Sequence, residues 1–155
     1  MKKEIPSFTE SIPYLIEQTS RYIELHGKAF FAKIAGDIIT SEEFRALDAI
    51  INNPDICQRD LAKLLLRDRV RTGRLLDSLE NKNLITRFGD LKNKRLVKKM
   101  KLTQQGENLF NELIQKLKPH VEIMRKNFTE KQVEELKTLL HSLKSALAEI
   151  VEIPA

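Results

Sequence analysis

Apolar side chains recur at three- and four-residue steps over most of this chain, the spacing that lines one face of an α-helix. Ile12, Leu15, Ile16, Thr19, Ile23, Phe30 and Ile34 form the first stripe and predict a helix from Ser11 to Ala35. Pro13 is harmless in its first turn, Gly27 is its weak point, and Gly36-Asp37 stops it. Thr40-Ser41-Glu42-Glu43 has the form of a capping box. It opens a helix whose buried face is Phe44, Leu47, Ile50 and Ile51, closed by Asn52-Asn53-Pro54-Asp55. Two short helices follow. Gln58 to Leu66 turns Leu61, Leu64 and Leu65 inward. Asp68 caps the next, which runs to Asn81 with Thr72, Leu75, Leu76 and Leu79 inside. Two short helices joined this closely suit a helix-turn-helix, although a plain helical hairpin has the same pattern.

The texture then changes. Leu84 to Phe88 is β-branched and aromatic, Gly89 to Arg95 is a polar, basic turn, and Leu96 to Leu102 alternates as a return strand. A helix-turn-helix followed by such a hairpin is a winged helix. Beyond it, Thr103 is an N-cap for a helix carrying Leu109, Phe110, Leu113, Ile114 and Leu117, which Pro119 is expected to kink or break. Thr129-Glu130-Lys131-Gln132 is a second capping box. It opens a last helix with Leu136, Leu140, Leu143, Leu147 and Ile150 at 4-3-4-3 steps, a seam suited to pairing with another helix. The fold class is therefore mainly α with a small β-wing: a winged helix-turn-helix (38–103) flanked by long N-terminal (1–37) and C-terminal (104–155) helices, one domain overall.

Charge changes this picture from a fold into a surface. The 155 residues carry a net +5, which alone says little beyond solubility. Residues 58–103 hold 14 basic and 5 acidic side chains, net +9, while the remainder holds 13 and 17, net −4. The positive charge lies in the segment whose geometry suits a DNA groove, which points to a polyanionic partner. With Thr72, Leu75, Leu76 and Leu79 inward, Val70 and Arg74 point outward, with Arg71 and Gly73 on the flanks. Arginine can bond guanine O6 and N7 together, and valine can pack on a thymine methyl. Arg69, at the helix start, suits a phosphate. Gly73 either allows a close backbone approach or is merely tolerated.

Leu61-Ala62-Lys63-Leu64-Leu65, the run Arg74 to Arg87 (RLLDSLENKNLITR), Asp90…Arg95 and Leu102-Thr103-Gln104-Gln105-Gly106 together resemble the MarR family of prokaryotic transcription regulators, in order and along the whole chain. The resemblance implies a homodimer built mainly from the terminal helices and bound to pseudo-palindromic double-stranded DNA. It also implies release by a small ligand, commonly an aromatic or phenolic acid, or by oxidation. In the wing it implies that Arg95 enters the minor groove and that Asp90 orients it. Lys92, Lys94 and Lys98 are expected on phosphates. The chain departs from the family pattern at several positions. Asn93 replaces a second Asp. Leu66 and Asn83 stand where glycines are usual. Cys57 stands at a Ser/Thr cap position. The stretch from Arg95 to Thr103 is about one residue longer than is usual in the family, which calls for a bulge or a longer wing.

Other chemistry is thin. His26, His120 and His141 are too dispersed for a metal motif, and no phosphate-binding glycine loop or nucleophile–base pair is present, so neither an enzyme nor a cofactor is expected. Tyr22, His26, Phe30 and Phe31 are the candidate lining of a ligand pocket between the first helix and the winged region, or else plain packing. Cys57, the one cysteine, excludes an intrachain disulfide and is a redox candidate, because a helix N-terminus lowers a thiol pKa. The N-terminus lacks the apolar core of a secretory leader, and no apolar run approaches the roughly 20 residues of a membrane span. A cytoplasmic protein is expected. The expected role is a dimeric transcription repressor released by a small-molecule effector; its rivals are a winged-helix protein-interaction module and a helical ligand carrier or enzyme.

Overall fold

The computed structural model describes residues 7–152. Residues 1–6, which make up most of the stretch read for a leader, fall outside it. The chain divides into two compact units, Met1–Ser41 and Glu42–Ala155.

In the first unit a single 3-10 turn (Phe8–Glu10) leads into α1, Ile12–Ala35. Ser11 caps α1 by accepting the Tyr14 N–H, Pro13 lies in the first turn, and the helix runs unbroken through Gly27. Gly36 ends it at φ 54°, a conformation that costs glycine little. Ile12, Leu15, Ile16 and Ile23 of its apolar stripe are exposed.

The second unit is the winged helix with two long closing helices: α2 (Ser41–Asn52), α3 (Gln58–Leu64), α4 (Arg69–Asn81), β1 (Ile85–Lys92), β2 (Arg95–Leu102), α5 (Gln104–Arg125) and α6 (Glu130–Ala148). Leu47, Ile50, Leu61, Leu76, Leu79, Ile85, Met100 and Leu113 are its most deeply buried large side chains, and the Phe44 and Phe110 rings stack at 5.2 Å. Two expected core positions are outside. Ile51 is exposed because Ala46 and Ala49 complete the inward face of α2. Leu64 is exposed because α3 ends there, leaving Leu65 as the half-buried partner of Leu61. α5 continues through Pro119 and is not broken. The carbonyl that loses its partner, on Gln115, lies in an exposed stretch where water can satisfy it. α6 opens with the expected capping box, Thr129 with Gln132, and buries no residue at all; Leu136, Leu140, Leu147 and Ile150 stand exposed.

α3 and α4 end alike. Arg67 N–H donates to the Ala62 carbonyl and Leu66 N–H to that of Lys63; Leu84 and Asn83 repeat this on Leu79 and Glu80. This double closure places the residue after the cap in the left-handed region, where Leu66 has φ 54° and Asn83 φ 57°. Asn tolerates that region, whereas leucine is strained there. Leu66 is exposed, so little packing opposes its removal. Leu66→Gly is therefore expected to stabilise the fold by about 1 kcal/mol. A urea midpoint that fell or stayed level would show that Leu66 contributes packing its exposure conceals.

The wing is longer and tighter-turned than its sequence predicts. Gly89 to Lys92 belong to β1, and the turn is only Asn93-Lys94, both left-handed at φ 52° and 63°. This is the backbone that a two-residue hairpin of the I′ kind needs, since its twist matches that of the strands. Pairing runs without a bulge from Ile85 with Leu102 to Lys92 with Arg95, so the extra length makes a longer wing.

Candidate nucleic-acid interface

α4 is presented by its own sequence. Asp68 caps it, its carboxylate accepting the Arg71 N–H at 2.8 Å, and that contact holds its pKa below the usual aspartate value. Thr72, Leu76 and Leu79 are buried and Leu75 is half-buried, which leaves Arg69, Val70, Arg71 and Arg74 exposed. The Arg71 guanidinium lies 3.6 Å from Asp68, a loose tie, and Arg69 and Arg74 enter no ion pair among the described residues. At Gly73 an added Cβ would meet only the Gln58 amide at 3.5 Å, ordinary contact. Packing within the protein does not require a glycine there.

The wing is fastened to this unit by ion pairs that the sequence did not disclose. The Lys99 ammonium, its side chain only 11% exposed, lies 2.8 Å from Asp90 and 3.2 Å from Asp55 in the α2–α3 turn. Backbone pairing of Lys99 with Cys57 fixes the same junction. Arg87 reaches Glu80 and Asp77 of α4, each at 2.6 Å. Lys92 pairs with Asp60 of α3. Deeper in the unit, Lys82 and the Ser78 hydroxyl hold the buried Glu43 carboxylate at 2.8 and 2.6 Å. Five of the basic residues counted toward the net +9 (Arg67, Lys82, Arg87, Lys92 and Lys99) are thus engaged internally. The wing cations that enter no ion pair among the described residues are Lys94, Arg95, Lys98 and Lys101, all exposed, and the Lys101 ammonium stands 6.0 Å from the centre of the Phe88 ring.

Two expectations change here. Asp90, expected to orient Arg95, instead grips Lys99 and accepts the Leu91 N–H; it stands two register pairs from the tip, where Arg95 sits. Cys57 is buried, and its thiol donates to Asp60 at 3.2 Å instead of capping α3. Burial withholds it from the solvent access that a redox sensor needs. The four candidate ligand-pocket residues all lie on α1. Tyr22 and His26 are exposed, Phe30 is half-buried and Phe31 buried; the His26 and Phe30 rings stack 6.2 Å apart. Tyr22 lines a hollow of about 500 Å³ with Phe8 and Tyr14, whereas Phe31 lines another of about 280 Å³ with Lys28 and Ile39. Among the described residues no group of three or more His, Cys, Asp or Glu could hold a metal ion, and no helix is long and apolar enough to cross a membrane.

The wing ties make a pH prediction. Lys99 holds the Asp90 carboxyl below its ordinary 3.8, Lys92 and then the Cys57 thiol do so for Asp60, and Arg87 lowers Glu80 from 4.5. A carboxylate depressed in the folded state binds fewer protons there than in the unfolded chain. Its stabilisation is complete above the unfolded value and is lost as the pH falls toward the folded one. Thermal midpoints should therefore drop as the pH falls from about 5 to about 3. A level midpoint over that range in circular dichroism melts would show that the ties contribute nothing net.

Residues 39–97 match the MarR family model. Over 118 residues the chain is 29% identical to an uncharacterized HTH-type transcriptional regulator of Bacillus subtilis, YybA, covering 70% of this chain and 78% of that protein. Its fold is similar to S. aureus MepR in its DNA-binding conformation, with TM-score 0.74, 26% identity, and coverage of 88% of this chain and 98% of that one. It is likewise similar to a mutant MarR from E. coli complexed with operator DNA, with TM-score 0.70, 25% identity, and coverage of 90% and 99%.

Proposed function

We propose that this chain, whose residues 39–97 match the MarR family model, is a dimeric, sequence-specific double-stranded DNA-binding regulator of that family that represses by occluding a promoter. One observation carries the reading: α4 exposes Arg69 at its start, Arg74 on its outward side and Arg71 on the flank, with no strong internal tie on any of them. That is the chemistry of a helix laid in a major groove. Arg71 and Arg74 read guanine edges, Val70 packs on a thymine methyl, and Arg69 holds a phosphate at the helix start. Arg95, at the wing tip, enters the adjacent minor groove, whose narrowness concentrates negative potential. Lys94 and Lys98 hold phosphates, and Lys92 does so after leaving Asp60.

The exposed apolar stripes of α1 and α6 support a second copy as partner, because a monomer seldom leaves such faces in water. Paired recognition helices read half-sites about 10 base pairs apart, or a multiple of that spacing. The protein acts by binding in the cytoplasm, where its DNA lies, and not by catalysis. A small aromatic effector that favours a dimer spacing unfit for DNA would release it.

The test is a salt titration on the duplex beside the protein's own gene. A dimer neutralising several phosphates should show a log K against log salt slope of about −5 or steeper. A shallow slope, or no binding at low salt, would refute the reading.

A further inference from the structure

Leu91 and Leu96 face each other across the hairpin, one register pair in from the Lys92–Arg95 tip. They are 66% and 79% exposed. Strand alternation puts them on the same face as Ile85, Arg87 and Met100. Near its base that face is buried, and Arg87 there meets Asp77 and Glu80 of α4. Past the body of the unit the face is bare. Gly89 adds no side chain to it, and the Leu96 Cδ1 lies 3.6 Å from where a Cβ at Gly89 would stand. Lys98, paired with Gly89, lies on that same face, and Lys94 stands in the turn beside the pair; both are exposed and outside the ion-pair network.

An apolar centre rimmed by unspent cations needs a partner with an apolar strip bordered by negative charge. The minor groove has that composition: its walls are deoxyribose carbons and its rims are phosphates. An ordinary protein surface offers no such regular anionic border. We propose that Leu91 and Leu96 form an apolar pad that seats on the deoxyribose wall of the minor groove while Lys94 and Lys98 take the bordering phosphates. The pad sets how deep Arg95 enters. This deepens the DNA-binding reading and rests on it.

Fluorescence anisotropy on a duplex of alternating A and T tests the pad, because a sugar contact needs no particular operator. Leu91→Ser with Leu96→Ser should weaken binding on the order of ten-fold. The salt slope should stay that of the wild type, since no phosphate contact is lost. Lys98→Ala should instead lower the magnitude of the slope by about 1. Methionine at both leucine positions should restore affinity to within about two-fold, because it keeps the apolar volume. Wild-type affinity in the serine pair would overturn the proposal. So would a slope change in that pair, a failure of methionine to rescue, or a shift from dimer to monomer in sedimentation, which would assign the leucines to contact between copies. A wild type that bound no duplex at all would instead sink the DNA reading itself.

Discussion

Gly106→Ala is expected to destabilise the fold by roughly 3 kcal/mol, the upper range for forcing atoms into a packed site. Gly106 lies in the first turn of α5, where its N–H donates to the Thr103 hydroxyl at 3.0 Å. Thr103 in turn donates its own N–H to the Leu84 carbonyl at 3.0 Å and its hydroxyl to that of Asn83 at 2.7 Å. The start of α5 is thereby drawn onto the α4–β1 junction so closely that a Cβ at position 106 would stand 2.0 Å from the Leu84 carbonyl oxygen. That atom is backbone and cannot rotate away. The better helix propensity of alanine returns only about 1 kcal/mol, so the clash wins. Relief means sliding α5 off the junction and losing the Thr103 bonds. Urea denaturation reads the effect; a midpoint at or above that of the wild type would show that the junction yields freely. Because Leu84 leads into β1, the same change should loosen the wing.

The second large effect falls on function. Arg74→Ala should cost about 1–3 kcal/mol on the true operator and much less on random duplex, because a base-reading arginine discriminates and a phosphate-holding one does not. Arg74 is exposed and enters no ion pair among the described residues, so its loss should leave stability within about 0.5 kcal/mol. Lys98→Ala is the companion, weakening operator and random DNA alike. Lys92 is a poorer control, since removing it also frees the Asp60 carboxylate beside the interface. Equal losses on specific and random DNA for Arg74→Ala would strip it of the base-reading role.

Particular residues show how far the sequence carried. The caps at Asp68, Thr103 and Thr129 are where hydroxyl or carboxylate spacing predicts them. The inward face of α4, and with it the outward arginines, follows from four apolar or β-branched positions at helical spacing. The hairpin turn is shorter than the polar run Gly89 to Arg95 suggests, because Gly89 and Asp90 look like turn residues yet pair within the ladder. Glu43 reads as half of a capping box. Its carboxylate holds Lys82 and Ser78, which lie 39 and 35 residues away.

What the sequence determined by itself was the run of elements, the winged-helix class and the location of the positive charge, since each depends on residues within one or two turns of each other. Tertiary structure alone decided which charges are spent. Lys99, Arg87 and Lys92 count as DNA-facing in a tally, yet each is tied to a carboxylate on another element. Lys94, Arg95 and Lys98 stay unpaired beside two bare leucines. An ion pair forms only where folding brings its partners within a few ångströms, and a pattern along the chain holds no record of that distance.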